Sequence, residues 1–279
     1  MPLLIVYWLL FVVGAVGSVG ALGASATLLR RVRPLGGATF VPLTGASLSM
    51  IVPIRGADVS TEANLNALVE SQFRGEIEYL FAMESADDPA YAVCQRVRAL
   101  HPDRDIRVVF SGPAGARMGK QHNLAAAVRA ARYAVVGSMD ADVSVAPTTL
   151  AVGLSYLAQP GAGIVYFFPG YTDQPPLGRG WPLGGALVAL YSDYYFLANF
   201  GALALTRPQP AIIGGLWLVR RATLEAIGGL DQFTRVVSDD AALGKAIVAQ
   251  KLRCVLVPYT VEVPFERLNL RGGARHLAK

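Results

Sequence analysis

YAVVGSMDADV, residues Tyr133–Val143, is the stretch from which the rest of the chain is read. Tyr133–Met139 is an apolar run of strand length, and its valines and small residues suit a parallel strand covered on both faces. Asp140 and Asp142 follow where that strand ends, the edge at which open α/β sheets bind ligands. In an extended segment residues i and i+2 point the same way, so both carboxylates are expected to face one spot. Two hard oxygen ligands there suit Mg2+ or Mn2+, which share their coordination with substrate phosphates.

Outward from that strand the chain alternates. Strands are expected at Leu48–Ile54, Ile77–Met83, Ile106–Phe110 and Gly163–Phe168, and helices at Thr61–Phe73, Tyr91–Leu100, Gly119–Arg132 and Pro147–Ala158. Ser60 reads as the cap of the first of these helices. Short connections between such elements argue for a parallel sheet flanked by helices. Further on, Ile212–Val219 reads as a strand whose Gly214 and Gly215 let a ligand approach the backbone. Ala222–Ile227 and Asp239–Lys251 read as helices and Arg253–Val257 as the last strand. Asp87 and Asp88 follow the second strand, and Asp239 and Asp240 open a helix, so carboxylates gather at loop positions. Lys120 and Asn123 at a helix start would add a cation and an amide near a phosphate.

Composition adds a membrane. The 279 residues are 53% hydrophobic, with mean hydropathy +0.41. Leu3–Leu29 carries no charged residue, and as a helix of roughly 40 Å it is long enough to span a bilayer with tilt. Arg30, Arg31 and Arg33 follow it, which places the amino terminus outside and the remainder in the cytoplasm, at a bacterial inner membrane. The expected organisation is an anchor over 1–31, a linker over 32–47, a catalytic domain over 48–265 and a basic tail over 266–279. Trp181–Leu205 is apolar and aromatic, and reads as a helix at the membrane interface, a second spanning segment or ordinary core, with the aromatic enrichment favouring the interface. The net charge of +5 sits near the anchor and in the tail, without a basic, aromatic-laced groove, so nucleic acid is not an expected partner. Pro53–Asp58 (PIRGAD) lacks the GxGxxG of a dinucleotide-dependent oxidoreductase. Cys94 and Cys254 lie far apart, without metal-ligand spacing.

Taken in order, PIRGAD, ESADDPA (Glu84–Ala90), GKQHNL (Gly119–Leu124), SMDADV (Ser138–Val143), GGLWLVRR (Gly214–Arg221) and VVSDDAALGKAI (Val236–Ile247) form a series. It resembles the glycosyltransferase family 2 superfold, most closely its ceramide glucosyltransferase-like branch, family 21, over Ser47–Val263. The resemblance implies a GT-A nucleotide-sugar-binding domain, mainly a parallel sheet flanked by helices, on an N-terminal transmembrane helix. It implies an inverting hexosyl transfer, in which UDP-glucose or a related UDP-sugar donates to a lipid hydroxyl. By the same resemblance Pro53, Glu84, Asp88, Lys120 and Asp140 bind the donor, and Asp140 with Asp142 holds the metal. Asp240 is then the catalytic base, and Gly214, Gly215, Trp217 and Asp239 lie on the acceptor side.

One departure stands out. The family follows its last strand with a Q/RxxRW segment and further membrane helices, whereas this sequence reads RLNLRGGARHLAK over Arg267–Lys279. A polyprenyl-phosphate or polysaccharide transferase is the alternative enzyme, and a truncated, non-catalytic GT-A domain is the alternative outside enzymes.

Overall fold

A computed structural model of the protein describes residues 2–31, 33–34, 46–172, 182–192, 200, 210, 212–236, 238–264 and 268–277. Two compact units emerge. One comprises Pro34–Gly170 and Gln209–Pro264, the other Met1–Arg33, Tyr171–Pro208 and Phe265–Lys279.

The second of these units opens with helix α1, Pro2–Arg31. Trp8, Phe11, Val12, Val13, Val16, Val19 and Leu22 on it are all more than half exposed. Among the described residues, no helix is long and apolar enough to cross a membrane. The uncharged run 3–29 nevertheless lies wholly within the 30 residues of α1, so the spanning expectation is taken up below as a proposal. Most of Trp181–Leu205 and of the linker over 32–47 falls outside the described residues.

The first unit is a mixed α/β fold. Its strands of five or more residues are β1 (Ser47–Pro53), β2 (Glu76–Met83), β3 (Asp105–Phe110), β4 (Val135–Met139), β5 (Ala162–Thr172), β6 (Leu216–Arg220) and β7 (Arg253–Pro264). They lie in the order β7-β5-β6-β4-β1-β2-β3. Between them run α2 (Thr61–Val69), α3 (Ala90–Leu100), α4 (Gly119–Ala130) and α5 (Thr149–Leu157), then, after β6, α7 (Arg221–Ala226) and α8 (Asp239–Ala249). The other unit holds α6 (Leu183–Leu190) and α9 (Leu270–Leu277), and the Gly185 amide of α6 donates at 3.1 Å to the Leu268 carbonyl just ahead of α9.

β1 pairs parallel with β2 and β4, and β2 pairs parallel with β3. β1, β2 and β4 are buried over most of their length because both sheet faces are covered there, whereas β3 at the edge of the sheet is mostly half-buried. β6 is the antiparallel member that a mainly parallel sheet allows, entering between β4 and β5 and pairing antiparallel with both. That insertion sets Leu216, the first residue of β6, opposite Met139, the last of β4. Gly137 opposite Leu218 lets strand and core close, because a Cβ there would collide with Met50 and Leu218.

Two local expectations are corrected. Ser60 sits in helical backbone and makes no side-chain cap; the Thr61 hydroxyl instead accepts from the Asp58 amide at 2.9 Å. α2 also ends at Val69 rather than Phe73, because the Gln72 amide is drawn to the Pro147 carbonyl at 2.7 Å.

The far end of the sheet holds a buried charge. Glu78 is fully buried and accepts from the Ser49 hydroxyl (2.6 Å), the Arg132 amide (2.6 Å), the Arg132 guanidinium (3.0 Å) and Arg107. Burial pushes this carboxyl up, and the hydrogen bonds from Ser49, Arg132 and Arg107 together push it further down, below its ordinary range.

Candidate active site

Parallel pairing brings the carboxyl ends of β1, β2 and β4 to one edge, and with them Pro53, Glu84 and Asp140. Because β6 runs the opposite way, its leading Gly214-Gly215 arrives at that same edge. The Asp140 amide donates to the Gly215 carbonyl at 2.8 Å. Gly215 holds φ +109°, a conformation costly for any residue with a Cβ. Asp239 and Asp240, in the first turn of α8, complete the group.

The centre is tight. Lys120 Nζ lies 2.7 and 2.9 Å from the two oxygens of Asp140. A Cβ built on Gly214 would lie 3.0 Å from Asp240 Oδ2, 3.6 Å from Asp140 Oδ2 and 3.7 Å from Lys120 Nζ, so these groups surround one backbone position. Burial opposes the Lys120 charge, but Asp140, Asp240 and Asp239 outweigh it and hold the ammonium protonated well above its ordinary range. For Asp240 burial dominates. With repulsion from Asp239 and Asp140 it raises the carboxyl to about 7, although Lys120 and the Gly214 amide pull the other way. A carboxylate poised there suits general-base chemistry near neutral pH.

Gly214 has no positive φ, so Gly214→Ala should fold. Its methyl would press on Asp240 at about 3.0 Å and shift the carboxylate by a few tenths of an ångström. We expect roughly a tenfold loss of turnover with an unchanged melting temperature, since small misplacements of a reacting group are costly. A wild-type rate would show that Asp240 has room to spare.

The other expected residues divide. Pro53 is buried at the end of β1, and Glu84 is exposed just past β2. Asp88 accepts from the Gly56 amide (2.9 and 3.1 Å) and the Ala90 amide (2.9 Å), tying the PIRGAD loop to the start of α3. Trp217 is 4% exposed, on β6 opposite Ser138. Asp140 and Asp142 are not in an extended segment as expected. The Val143 amide donates to the Asp140 carbonyl at 3.1 Å, making a turn that carries both acids, so strand alternation does not set their directions. Asn123 is buried instead: it donates one amide hydrogen to the Ile54 carbonyl at 3.3 Å and accepts from the Ser111 hydroxyl at 2.7 Å, so its side chain ties the end of β1 to the segment after β3.

Sequence reasoning missed Asn64, whose amide donates to the Ala141 carbonyl at 3.0 Å and pins the turn between the two acids. It also missed Gln121, Phe233 and Leu243, which with Lys120, Trp217, Asp239 and Asp240 line a pocket open to solvent. Gln121 and Leu243 lie inside GKQHNL and VVSDDAALGKAI, but nothing local marks them as pocket lining, since the wall forms only when α4, β6 and α8 meet.

The donor set fits a divalent cation. Asp140 and Asp142 offer hard oxygens from one turn, and Asp142 is exposed. Among the described residues no third carboxylate, histidine or cysteine joins them, which matches cations that take one or two carboxylates and complete their shell with phosphate oxygens and water.

Residues 9–278 match the family model described as glycosyl transferase family 21. Ceramide glucosyltransferase 1 of Caenorhabditis elegans is 22% identical over 213 residues, 75% of this chain and 43% of that protein. The chain thus spans less than half the length of this curated relative. Among solved structures, mannosyltransferase PcManGT from Pyrobaculum calidifontis, in complex with GDP-Man and Mn2+, superposes with TM-score 0.62 at 23% identity, covering 95% of this chain and 70% of that one. GalNAc-T7 with UDP, GalNAc and Mn2+ superposes with TM-score 0.51 at 13% identity, over 79% of this chain and 43% of that one. Likeness at such identities establishes the GT-A fold of the chain.

Proposed function

The chain belongs to glycosyl transferase family 21, and on that premise we propose that it is an inverting hexosyltransferase moving a sugar, glucose above all, from a UDP-sugar to a lipid hydroxyl. The observation that carries this reading is Asp240, raised to about 7 and set against Lys120, Asp140 and Gly214. In the reaction Asp240 takes the proton of the acceptor hydroxyl. The acceptor oxygen bonds to the anomeric carbon as the bond from that carbon to the diphosphate breaks on the opposite face. Asp140 and Asp142 would hold Mg2+ or Mn2+, which when bound offsets the charge on the departing diphosphate. Lys120 supplies a cation beside the same carboxylate, and Asp88 keeps the PIRGAD loop in place for the nucleotide.

The membrane completes the proposal. α1 would anchor the chain, with the catalytic unit in the cytoplasm at a bacterial inner membrane. Leu3–Leu29 carries no charge, and α1 exposes seven large apolar side chains that water would not favour. Leu183 and Leu187 on α6, Tyr191 just after it, and Leu270 beside Arg271 on α9 are also exposed, which suits an anionic lipid surface and a lipid acceptor.

The test is calorimetric titration of UDP-glucose into the detergent-solubilised chain with and without Mn2+. Metal-dependent binding is expected, and Asp140→Ala should abolish it. Binding that ignores both Mn2+ and the substitution would remove the donor-site assignment, and no binding of any UDP-sugar would favour a non-catalytic domain.

A further inference from the structure

The pocket beside Asp240 has two characters. Lys120, Asp239 and Asp240 give its lining charge, while Trp217, Phe233 and Leu243, each less than a tenth exposed, give it apolar surface. Gln121 lines the same pocket and is 7% exposed. Its Oε1 is buried from water and has no hydrogen-bond partner among the described residues. Buried polar atoms are paired in the great majority of cases, so this orphan requires a reason. The reason lies in where it stands. It follows Lys120 in the first turn of α4, in a pocket that also contains the group assigned as base.

We propose that Gln121 is a specificity-determining residue for the acceptor. Its side-chain carbonyl receives a hydrogen bond from a second donor, an N–H or O–H, carried beside the reacting hydroxyl on a molecule with an apolar body. The inference rests on the transferase reading above and narrows the acceptor class within it. The terminal amide of glutamine rotates in a broad well about χ3, so the oxygen turns toward the pocket when a donor arrives. A lipid alcohol without that second donor fills the apolar wall equally well but leaves the carbonyl unpaired, which is the kind of mismatch by which buried polar groups discriminate.

The experiment compares two short-chain lipids on the UDP-loaded, detergent-solubilised full chain. One is an N-acyl sphingosine, whose primary hydroxyl neighbours an amide N–H. The other is a 1,2-diacylglycerol, whose hydroxyl neighbours an ester with no donor. Binding is followed by tryptophan emission, since Trp217 lies in the wall. Wild type should bind the amide lipid roughly 10–100-fold tighter, a span typical of one buried hydrogen bond. Both Gln121→Leu and Gln121→Met should bring the ratio close to one; each is first checked for wild-type melting and UDP binding, and two variants guard against one misfolding. Equal binding of the lipids by wild type, failure of both to bind, or an unchanged ratio in a folded variant would overturn the proposal. Sugar transfer is measured on the same lipids. A Gln121-dependent preference without transfer removes the transferase reading and leaves the subsite standing, whereas transfer with an unchanged ratio does the reverse.

Discussion

Asp240→Asn is expected to lower sugar transfer by roughly 10²–10⁴-fold while sparing donor binding, the span usual for a lost general base. Asparagine keeps the size and the hydrogen bonds but cannot take the acceptor's proton. The wild-type rate should climb with pH up to about 7 and then level off, as the carboxylate ionises. The same group makes a stability prediction of opposite direction. A carboxyl raised from an unfolded value of 3.8 to about 7 stabilises the fold fully below 3.8, and that stabilisation is gone once pH has risen through 7. At pH 8 the wild type therefore carries an ionised, partly buried carboxylate beside Asp239 and Asp140 that the amide variant lacks. Asp240→Asn should melt a few degrees higher at pH 8, with the gap closing as pH falls toward 4. Paired turnover and melting measurements check both halves, and full turnover in the variant would end the base assignment.

Glu78→Ala is expected to cost about 3 kcal/mol, the low end for breaking a buried ion pair, because Arg107 and Arg132 are partly exposed and regain water. For a chain of this size that is a fall of roughly 6–12 °C in melting temperature. Glu78 joins β1, β2, β3 and the segment entering β4 through Ser49, Arg107 and Arg132, far from the carboxyl edge, so donor affinity of the folded fraction should survive. Its carboxyl is lowered on folding, so the stabilisation is present above the unfolded value near 4.5 and lost as pH falls through the lower folded value. The difference between variant and wild type should accordingly shrink below about pH 4.5 in melting curves. A difference that persists undiminished in acid would locate the cost in packing instead.

Much of this was legible residue by residue. The apolar runs of β1, β2 and β4 and the helices between them carry their periods openly, because a strand covered on both faces is largely apolar. Asp140 was placed at the sheet edge by the strand that precedes it. Asn123 was misjudged, since a helix-start amide looks free until the Ile54 carbonyl is brought beside it. Glu78 looked like one more polar position in EIEYLFAM, and only neighbouring strands make it a buried ion. The shared direction of Asp140 and Asp142 was inferred from an extended backbone that is in fact a turn.

Alone, the sequence determined the α/β alternation, the family and the acids gathered where strands end and helices begin, because each is written in local period or contiguous motif. Only the tertiary structure decided that β6 runs antiparallel, and hence that Gly214 stands among Asp140, Lys120 and Asp240. It alone raised Asp240 and left the Gln121 carbonyl unpaired. Strand direction, burial and the distance between charges far apart in the chain depend on how elements meet, and no stretch of residues carries that by itself.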